Sequence, residues 1–579
     1  MKKTVFTPHR TLLAVAISMA AMTPTQALEF YSGGLEGSFD SSISVGSSWR
    51  VEAPSDEIIS RTTNGNDGNA NFKKGDAISQ VFKGSHDLQL SFENYGAFVR
   101  AKYWTDLALD GKEGDVPNAA NGAGTSTVNQ NFNSDEFNDL SKTSGYALLD
   151  AFVYGEFEVM DMPLDLRLGK QVISWGESTF IMGGINNINP FDVNEFTRPG
   201  ATLKEGLLPV NMAYASMGLT DSLSAEAFYQ LEFQETVIPG CGTYFATNDY
   251  APEGCFSAIG VPGLPVVGRA TDDKPDADGQ FGIALRYVSE SLGDTEFGFY
   301  AMNVHSRLPV ASGIKRAGYQ TIQETAGDVG AALMNNLGNE AIHYQVSYPE
   351  DQKLMAVSFA TNVGTMAVSG EVTHKLDVPL QLNATQILGA IMVGGASANA
   401  EIMADVIATP IGEVIEGYRL FDVSQVQVTA IKLIDQVGPI SRITLIGEAG
   451  YTLVHDLPDA DVAGNWQFDG NAVEGLDGTE SGFVTESSWG YRGLAIANFT
   501  DVFAGVNLQT KLSLAHDVEG YSPAPGGNFK EGQVKAGFTL KADYLSTYSA
   551  SISYTDYSGG VTNNVSDRDF AAITLGMSF

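Results

Sequence analysis

The chain has 579 residues and a formal net charge of −36 at pH 7, from 33 Lys plus Arg against 69 Asp plus Glu. Its length suits one large β-barrel better than an ordinary soluble domain. Its acidity excludes a nucleic-acid-binding protein, because such a protein needs a basic surface. We interpret the acidic excess as solvated loops that keep the chain soluble in transit, with a cation-selective lumen as the alternative.

The N-terminus has the pattern of an export signal. Lys2, Lys3 and Arg10 precede an apolar segment, residues 11–22, that is too short to cross a bilayer as a helix. Small residues up to Ala27 suit cleavage. We therefore predict a signal peptide over residues 1–27 and one outer-membrane β-barrel domain over residues 28–579, with an uncleaved membrane anchor as the alternative for the N-terminus.

Apolar residues recur at every second position in many segments, as expected for a strand with one face in lipid. Phe281, Ile283, Leu285 and Tyr287 are one such series. The candidate strands lie near residues 35–50, 78–92, 95–104, 145–158, 163–175, 210–219, 223–234, 279–289, 295–305, 353–361, 365–375, 420–433, 440–453, 487–498, 502–515, 532–543, 546–557 and 569–579.

The connections between these candidate strands alternate strictly between long and short. Long outer loops and short periplasmic turns are typical of outer-membrane barrels. We therefore predict an all-β fold, a transmembrane antiparallel up-and-down β-barrel of about 18 strands, with 16 as the alternative. We expect it in the bacterial outer membrane, in contact with outer-membrane lipid and lipopolysaccharide, with long outer loops whose short helices partly plug the lumen.

The C-terminal strand carries a candidate assembly signal. Ile573, Leu575, Met577 and the terminal Phe579 share one face of this strand. The pattern resembles the strand that the barrel-assembly machinery recognises, so we expect that machinery to be a partner. The strand must also pair with the first one, because an open edge in lipid would leave backbone groups unpaired.

Three long loops are unusually apolar: residues 259–268, 328–337 and 383–409. Loops in water rarely carry this much apolar surface, so we expect them to pack on each other, to enter the lumen or to meet a hydrophobic ligand. Residues 454–486 are instead acidic, and we interpret them as a solvated loop, with a calcium site as the alternative. We predict no metal site and no cofactor, and we predict a disulfide between Cys241 and Cys255 because an exported chain meets an oxidising compartment.

Residues 167–210 read RLGKQVISWGESTFIMGGINNINPFDVNEFTRPGATLKEGLLPV. This tract resembles a proteobacterial outer-membrane family of unknown function, domain of unknown function thirteen-oh-two. The Cys241–Cys255 loop and the runs EGYRLFDVSQVQVTA and LIGEAGY support the likeness, which covers nearly all of the mature chain. The resemblance implies an outer-membrane barrel that accompanies an exporter of the resistance–nodulation–division (RND) type and a periplasmic or outer-membrane accessory protein. It would imply traffic of a hydrophobic compound or lipid.

Strand alternation also predicts side chains inside the barrel. The lumen-facing candidates are Arg167, Gln171, Arg286, Glu448, Lys511 and Lys541. The same alternation puts Lys170 towards lipid, which requires a place near the outer rim or a bulge. The third outer loop is the best candidate for a constriction, with an ordered cap as the alternative, and its candidate residues are Trp175, Glu177, Asn187, Asn189, Asp192, Lys204 and Glu205.

The function that these features favour is a channel or transport protein for a hydrophobic or amphipathic compound. A general or ion-selective porin is the second transport hypothesis. A barrel enzyme such as a lipid hydrolase, and a structural or receptor barrel, are the hypotheses from other classes. The sequence has no GxSxG elbow, and we predict no enzyme, although His305, His374, His455 and His516 lie near outer strand ends, where outer-membrane hydrolases place catalytic groups.

Overall fold

The computed structural model describes residues 28–61, 65–117, 127–132, 135–258, 267–316, 342–383, 400–460, 466–474 and 480–579. The predicted signal peptide lies outside these residues, as do the apolar segment 328–337 and most of the apolar segments 259–268 and 383–409. Within the described part of the chain, no helix has the length and apolarity needed to cross a membrane.

The described residues form one closed barrel of eighteen antiparallel strands, which we number β1 to β18 in chain order. Their bounds are β1 Leu35–Arg50, β2 Ala77–Phe92, β3 Tyr95–Asp106, β4 Ser144–Val159, β5 Met162–Gln171, β6 Val210–Thr220, β7 Leu223–Gln230, β8 Phe281–Ser289, β9 Thr295–Val304, β10 Gln352–Val363, β11 Met366–Gln381, β12 Tyr418–Val437, β13 Ile440–Val454, β14 Ser487–Phe503, β15 Val506–Glu519, β16 Gln533–Tyr544, β17 Tyr548–Gly559 and β18 Phe570–Ser578. The predicted number of 18 is therefore confirmed, and the alternative of 16 is excluded.

The barrel closes between its last and first strands. β18 pairs with β1 from Ser42 opposite Ser578 to Arg50 opposite Phe570. Ser41 and Phe579 extend the seam, because each backbone N–H donates to the carbonyl of the other, at 2.7 and 2.9 Å. A short strand, Leu28–Ser32, folds back on the start of β1. Closure leaves no unpaired strand edge in the membrane.

The outer wall is apolar, as strand alternation predicted. On β8 the side chains of Phe281, Ile283, Leu285 and Tyr287 are exposed, with Ile283 at 57%. Leu512 and Leu514 of β15 are likewise exposed. Since exposed apolar side chains recur on most strands of this wall, it is a lipid-facing surface rather than the solvated face of a soluble sheet.

Short turns join the strands at one end of the barrel and long loops join them at the other. The β4–β5 turn shows why the short turns are possible, because Met160 and Asp161 both adopt positive φ, 53° and 60°, as a two-residue hairpin turn requires. The long loops contain the helices Asp56–Arg61, Asp67–Ala70, Val193–Thr197, Leu203–Gly206 and Ala400–Ala408, and the strands Glu113–Pro117, Thr127–Asn131, Ser257–Ala258, Val267–Arg269, Val310–Lys315, Ile342–Ser347, Val414–Ile415, Asp469–Glu474 and Glu480–Phe483. A 3-10 helix, Glu290–Leu292, lies in the β8–β9 turn.

The outer loops pack on one another around two apolar clusters. One contains Phe72, Phe132, Phe137 and Tyr244 beside the disulfide of Cys241 and Cys255, so the predicted bond is confirmed. The other contains Tyr344, Val346, Leu380, Val406 and Phe468 and lies against a five-stranded sheet of loop segments. Helix Ala400–Ala408 joins this second cluster through Val406. Loop-on-loop packing therefore accounts for the described part of the apolar segment 383–409.

The external layer is also fastened to the barrel seam. The Arg568 guanidinium donates to the carbonyls of Tyr244 and Ala246 at 2.7 and 2.6 Å. Arg50 of β1 pairs with Asp567 at 3.2 Å, and both side chains are buried. The disulfide loop between β7 and β8 thus reaches across the mouth of the barrel to β18 and β1.

Candidate functional site

The loop between β5 and β6, residues 172–209, folds into the barrel; we call it the constriction loop. Asn189 fastens its two ends, because its side chain accepts from Ile173 N at 2.9 Å and donates to the carbonyls of Gln171 and Leu208 at 3.2 and 3.0 Å. The predicted strand 163–175 therefore ends early, at Gln171. The hydrogen bonds of the Asn189 side chain turn residues 172–175 away from the wall.

The first part of the loop packs against the inner face of β6 to β10. Trp175 is 1% exposed and lies against Phe228 and Tyr300, with ring centroids 5.1 and 5.9 Å apart. Its indole N–H donates to Glu226 at 2.7 Å. The apolar side chains that complete this cluster are Ile173, Ile185, Ile188, Val210, Met212, Ala284, Met302, Val304, Leu354 and Ala356. This half of the lumen is filled by protein.

Two buried carboxylates on β11 and β13, the strands that follow this part of the wall, hold the tip of the loop, residues 177–185. Glu448 of β13 accepts backbone N–H groups of Thr179, Phe180 and Ile181 at 2.8, 2.6 and 2.8 Å. Glu371 of β11 accepts the N–H groups of Glu177 and Ile185 at 2.7 and 2.9 Å. Hydrogen bonds to an ionised acceptor are among the stronger ones in proteins, so these two side chains clamp the loop across the lumen.

Glycine is required where the tip passes Glu371. A Cβ at Gly184 would overlap Oε1 of Glu371, and one at Gly176 would lie 2.5 Å from Oε2 of the same carboxylate. Gly176 and Gly183 also adopt positive φ, 86° and 79°. The sequence pair Gly183-Gly184 is thus explained by close approach to the clamp as well as by backbone conformation.

A second loop supports the tip from the side. Asn528, between β15 and β16, accepts from Met182 N at 3.0 Å and donates to Met182 O at 2.6 Å. Gln425 of β12 donates to the same carbonyl at 3.0 Å. Both backbone groups of Met182 are therefore satisfied by the wall and by the neighbouring loop.

The second part of the constriction loop is anchored to β2 and β3 by ion pairs. Lys83 contacts Glu195 and Glu205, the latter at 2.7 Å. Lys102 lies 3.1 Å from Asp192 and 3.3 Å from Glu195. All five side chains are buried. Asp192 also caps helix Val193–Thr197 by accepting the N–H groups of residues 194 and 195, which orients Glu195 towards the two lysines.

The two glutamates of this anchor differ in electrostatic environment. Burial alone would raise the pKa of Glu195, but Lys83, Lys102 and Arg198 outweigh it and hold that pKa far below its usual range. Burial raises the pKa of Glu205, and the nearby Glu195 carboxylate adds to this effect while Lys83 opposes it. Glu195 is thus the permanent anion of the anchor.

Four of the six predicted lumen-facing residues have partners within the barrel. Arg286 pairs with Glu226 and Glu296, both at 2.9 Å, below the Trp175 cluster. Arg167 pairs with Asp165 at 2.8 Å and lies over the Tyr214 ring. Gln171 is buried and donates to Met212 O at 3.1 Å. Glu448 belongs to the clamp rather than to an open polar lining.

Lys511 of β15 and Lys541 of β16 are in a different environment. Among the described residues, neither forms a hydrogen bond or an ion pair. Lys511 lies opposite Thr539 and Lys541 opposite Gln509, so the two lysines are diagonal neighbours about 7–8 Å apart. Ser513, which shares their face of β15, is exposed, so this part of the inner wall is accessible to solvent.

The predicted constriction residues all lie in the constriction loop, but with different roles. Trp175, Asn189, Asp192 and Glu205 make the buried contacts described above. Lys204 is half exposed and pairs with Asp87 at 3.1 Å. Glu177 contributes its backbone N–H to the clamp, and burial together with the Glu296 and Glu371 carboxylates raises the pKa of its side chain. The Asn187 N–H donates to Ile185 O at 2.8 Å.

Several residues that contact the constriction loop or belong to its anchor were missed by the sequence analysis: Glu371, Gln425, Asn528, Lys83, Lys102 and Glu195. A usable signal existed for Glu371, because it alternates with Val372 and His374 in a predicted strand. No comparable signal pointed to Asn528, because its contact with Met182 depends on where the tip of the constriction loop lies. Lys170, placed towards lipid by alternation, is the penultimate residue of β5 and so lies at the outer rim.

Apolar side chains line the lumen beside the two lysines. Ile431, Ile446 and Leu494 are directly paired across β12, β13 and β14 and share the face of the inward-pointing Glu448. Ile496 follows on the same face of β14 and lies directly opposite Lys511 of β15. An apolar stripe and a pair of cations therefore stand side by side on the wall that the constriction loop leaves uncovered.

A model of the family described as protein of unknown function (DUF1302) matches residues 9–579. The chain belongs to this family. No curated protein sequence is similar to this DUF1302 member. With its closed seam and apolar outer wall, the protein is a β-barrel of the bacterial outer membrane. In the described residues, no group of three or more His, Cys, Asp or Glu side chains could hold a metal ion.

Solved structures similar to the DUF1302 chain include OccAB4 of Acinetobacter baumannii, with 12% identity and a TM-score of 0.40, over 96% of this chain and 99% of that one. OpdK of Pseudomonas aeruginosa, solved with vanillate, has 8% identity and a TM-score of 0.38, over 93% and 98%. The outer-membrane channel DcaP of Acinetobacter baumannii has 9% identity and a TM-score of 0.33, over 95% and 99%. These likenesses are too distant to assign a function, which must come from the site itself.

Proposed function

We propose that this protein is an outer-membrane channel for amphipathic compounds that combine an apolar body with an anionic head. The observation that carries the proposal is the division of the lumen. The clamped constriction loop fills the side of β5 to β10, while Lys511 and Lys541, on the side of β15 and β16, form no ion pair with any residue that the structure describes.

The apolar stripe supports an apolar body for the cargo. Ile446 and Leu494 are each half-buried, so both present surface to the lumen. Apolar area removed from water contributes roughly 25 cal/mol per Å², which favours a cargo that covers this stripe. A small inorganic ion gains nothing from such a surface.

The two lysines support an anionic head. Ile496 and Lys511 are cross-strand neighbours, so a cargo that covers the stripe with its chain has a cation within reach of its head. Gln509, Ser513 and Thr539 share this face. The carboxylate of Asp543 lies two residues beyond Lys541, at the turn, where it accepts the Ser546 N–H at 3.1 Å, so the two lysines outnumber it. A negative charge is therefore better accommodated here than a positive one.

The clamp argues against an open general porin. Opening the lumen to the width of an eighteen-stranded barrel would require both Glu371 and Glu448 to lose their backbone partners. An amphipathic cargo must also be delivered to or taken from the periplasmic end. An RND-type exporter with an accessory protein is our proposed partner there, on the family resemblance alone.

The proposal is tested by current recordings of the full chain in planar bilayers with three probes. Octanoate has the proposed chemistry, octylammonium has the same chain with the opposite charge, and acetate has the charge without the chain. We expect brief blockades and permeation with octanoate only. Equal responses to octanoate and acetate would remove the apolar part of the proposal, and equal responses to octanoate and octylammonium would remove the anionic part.

A further inference from the structure

A serine and two histidines meet on the outer surface of the barrel wall at β11 and β12. The inner surface of the same two strands contacts the constriction loop. Ser424 of β12 has its Oγ 3.0 Å from Nδ1 of His374 on β11 and 2.8 Å from Nε2 of His455. The two imidazole rings are 5.5 Å apart between centroids and nearly perpendicular. We refer to Ser424, His374 and His455 as the outer-wall trio.

Strand register brings the trio together. His374 and Ser424 are directly paired between β11 and β12. His455 follows the end of β13, and its N–H donates to Asp422 O on β12 at 2.9 Å, which returns its side chain to Ser424. Gln425 points into the lumen, where it contacts the constriction loop, so Ser424 points outward.

The surroundings of the trio are lipid-facing. Val372 and Val426 occupy the next outward row towards the membrane centre and are exposed, as is Met355 of β10 in the row of the trio itself. Tyr451 and Trp489 stand in the Val426 row and mark the interfacial level. The trio lies one row farther out, at the level of lipid headgroups and ester bonds.

Ionisable side chains on the membrane-facing surface of a barrel are a functional-site hypothesis by default. A hydroxyl has one proton, so Ser424 can donate to only one of its two imidazole neighbours and must accept from the other. A serine in contact with an imidazole acceptor is the arrangement of an activated nucleophile. The second imidazole, as donor, is placed to stabilise negative charge next to the serine oxygen.

We propose that the outer-wall trio is a second, hydrolytic site that cleaves carboxylic esters of membrane lipid, with Ser424 as nucleophile and His455 as base. The Ser424 oxygen bonds to the ester carbonyl carbon while its proton passes to Nε2 of His455. The bond to the alcohol breaks, and the alcohol leaves with that proton, so the acyl group remains on Ser424. Water then gives a proton to His455 and its oxygen to the acyl carbon. The bond between that carbon and Ser424 Oγ breaks, and Oγ takes the proton back from His455 as the fatty acid leaves. His374 donates to the developing oxyanion.

The structure offers a matched control. Ser41 of β1 also contacts one imidazole, with its Oγ 2.8 Å from Nδ1 of His86, but its side chain is buried. Ser41 thus has a serine–imidazole contact without the second imidazole and without access to lipid. Ser424, His374 and His455 are all partly exposed.

The test uses the full chain in liposomes and a fluorophosphonate probe, with the labelled peptide identified by mass spectrometry. We expect labelling at Ser424, lost in Ser424→Ala and reduced on the order of 100-fold in His455→Ala, as for removal of a general base. Ser41→Ala should label like the wild type. Release of fatty acid from diacyl phospholipid in the same liposomes should follow the labelling.

The outcomes decide the proposal independently of the channel. Absence of label in the wild type, or label at Ser424 that His455→Ala does not reduce, would overturn the catalytic assignment. Label without fatty acid release would overturn the assignment of lipid ester as substrate. None of these results depends on Lys511, Lys541 or the constriction loop.

Discussion

The two sides of the lumen use similar strands in opposite ways. On β6 to β10 the inward side chains are large, and Trp175, Phe228 and Tyr300 join the constriction loop in one apolar cluster. On β15 to β17 the inward side chains are small or long and polar, with lysines that lack partners among the described residues. The first side is packed like a protein core, and the second side is accessible to a cargo.

This contrast is informative because both sides enclose the same barrel. A fully solvated lumen would not bury an aromatic cluster, and a structural plug would not leave two neighbouring lysines without an ion pair among the described residues. The buried charges that anchor the constriction loop to β2 and β3 are paired, as Lys83 and Lys102 show with Glu195. Lys511 and Lys541 are instead partly exposed and form no ion pair among the described residues.

The largest expected effect comes from releasing the filled side. In the double variant Glu371→Ala and Glu448→Ala, the loop tip loses five backbone hydrogen bonds to carboxylates, each worth about 1.5–3 kcal/mol. We expect a several-fold rise in single-channel conductance and loss of octanoate discrimination. Glu296→Ala is the control, because Glu296 faces the lumen and pairs with Arg286 without touching the tip. Unchanged conductance in the double variant would show that the loop does not limit passage.

A smaller rise in conductance is expected when a single methyl group is added to the tip of the constriction loop. Gly184→Ala places a Cβ against Oε1 of Glu371, so the tip or the carboxylate must shift. We expect noisier channels of intermediate conductance, measured in the same bilayers. Gly447→Ala is the matched control, since a Cβ there, one residue before Glu448 on the same strand, meets no atom within 4 Å. Identical records for the two variants would contradict a tight clamp.

The open side is tested by removing its charge. In Lys511→Gln with Lys541→Gln, we expect the reversal potential to shift towards cation selectivity and octanoate blockades to become rarer. Conductance itself should change little, because the constriction loop is untouched. Lys432→Gln serves as the control, as Lys432 contacts Thr365 near a periplasmic turn. A variant that still selects for octanoate would place the anion site elsewhere.

The sequence predicted the wall better than the interior, for a physical reason. Alternation reports which side chains meet lipid, so it located Ile283 and Leu512 outside and Glu448 inside. It did not report that Glu448 would bind backbone N–H groups of residues 179–181. Every residue except proline has such a donor, so the sequence does not indicate which of them a carboxylate will bind. Alternation also kept Trp175 in the predicted strand 163–175, since only the contact of Asn189 with Gln171 and Leu208 ends β5 at Gln171.

The aromatic residues show the same limit. A position near a strand end, such as that of Trp104 on β3, is typical of interfacial aromatic side chains in membrane proteins. In the structure Trp104 is buried, donates to Lys142 O at 2.9 Å and lies 4.7 Å from the Arg198 guanidinium. It therefore supports the constriction loop from the inside. An aromatic side chain suits either environment, and only the inward contacts of its strand neighbour Lys102 distinguish the two.

The smallest expected effect concerns the external layer that lies above both sides. Asp249 of the disulfide loop is fully buried beside Arg568, and it accepts the Asp67 N–H at 3.1 Å. Burial raises its pKa to about 6, although the Asp67 N–H and Arg568 oppose the shift. The folded layer thus binds more protons than the unfolded loops between about pH 4 and pH 6, so its stability falls as the pH rises through this window.

In Asp249→Asn the carboxyl is gone, and we expect this pH dependence to disappear while the conductance of the barrel is unchanged. Hydrogen exchange of residues 67–72 and 241–249 as a function of pH measures it. Parallel pH profiles for the wild type and the variant would assign the dependence to another group.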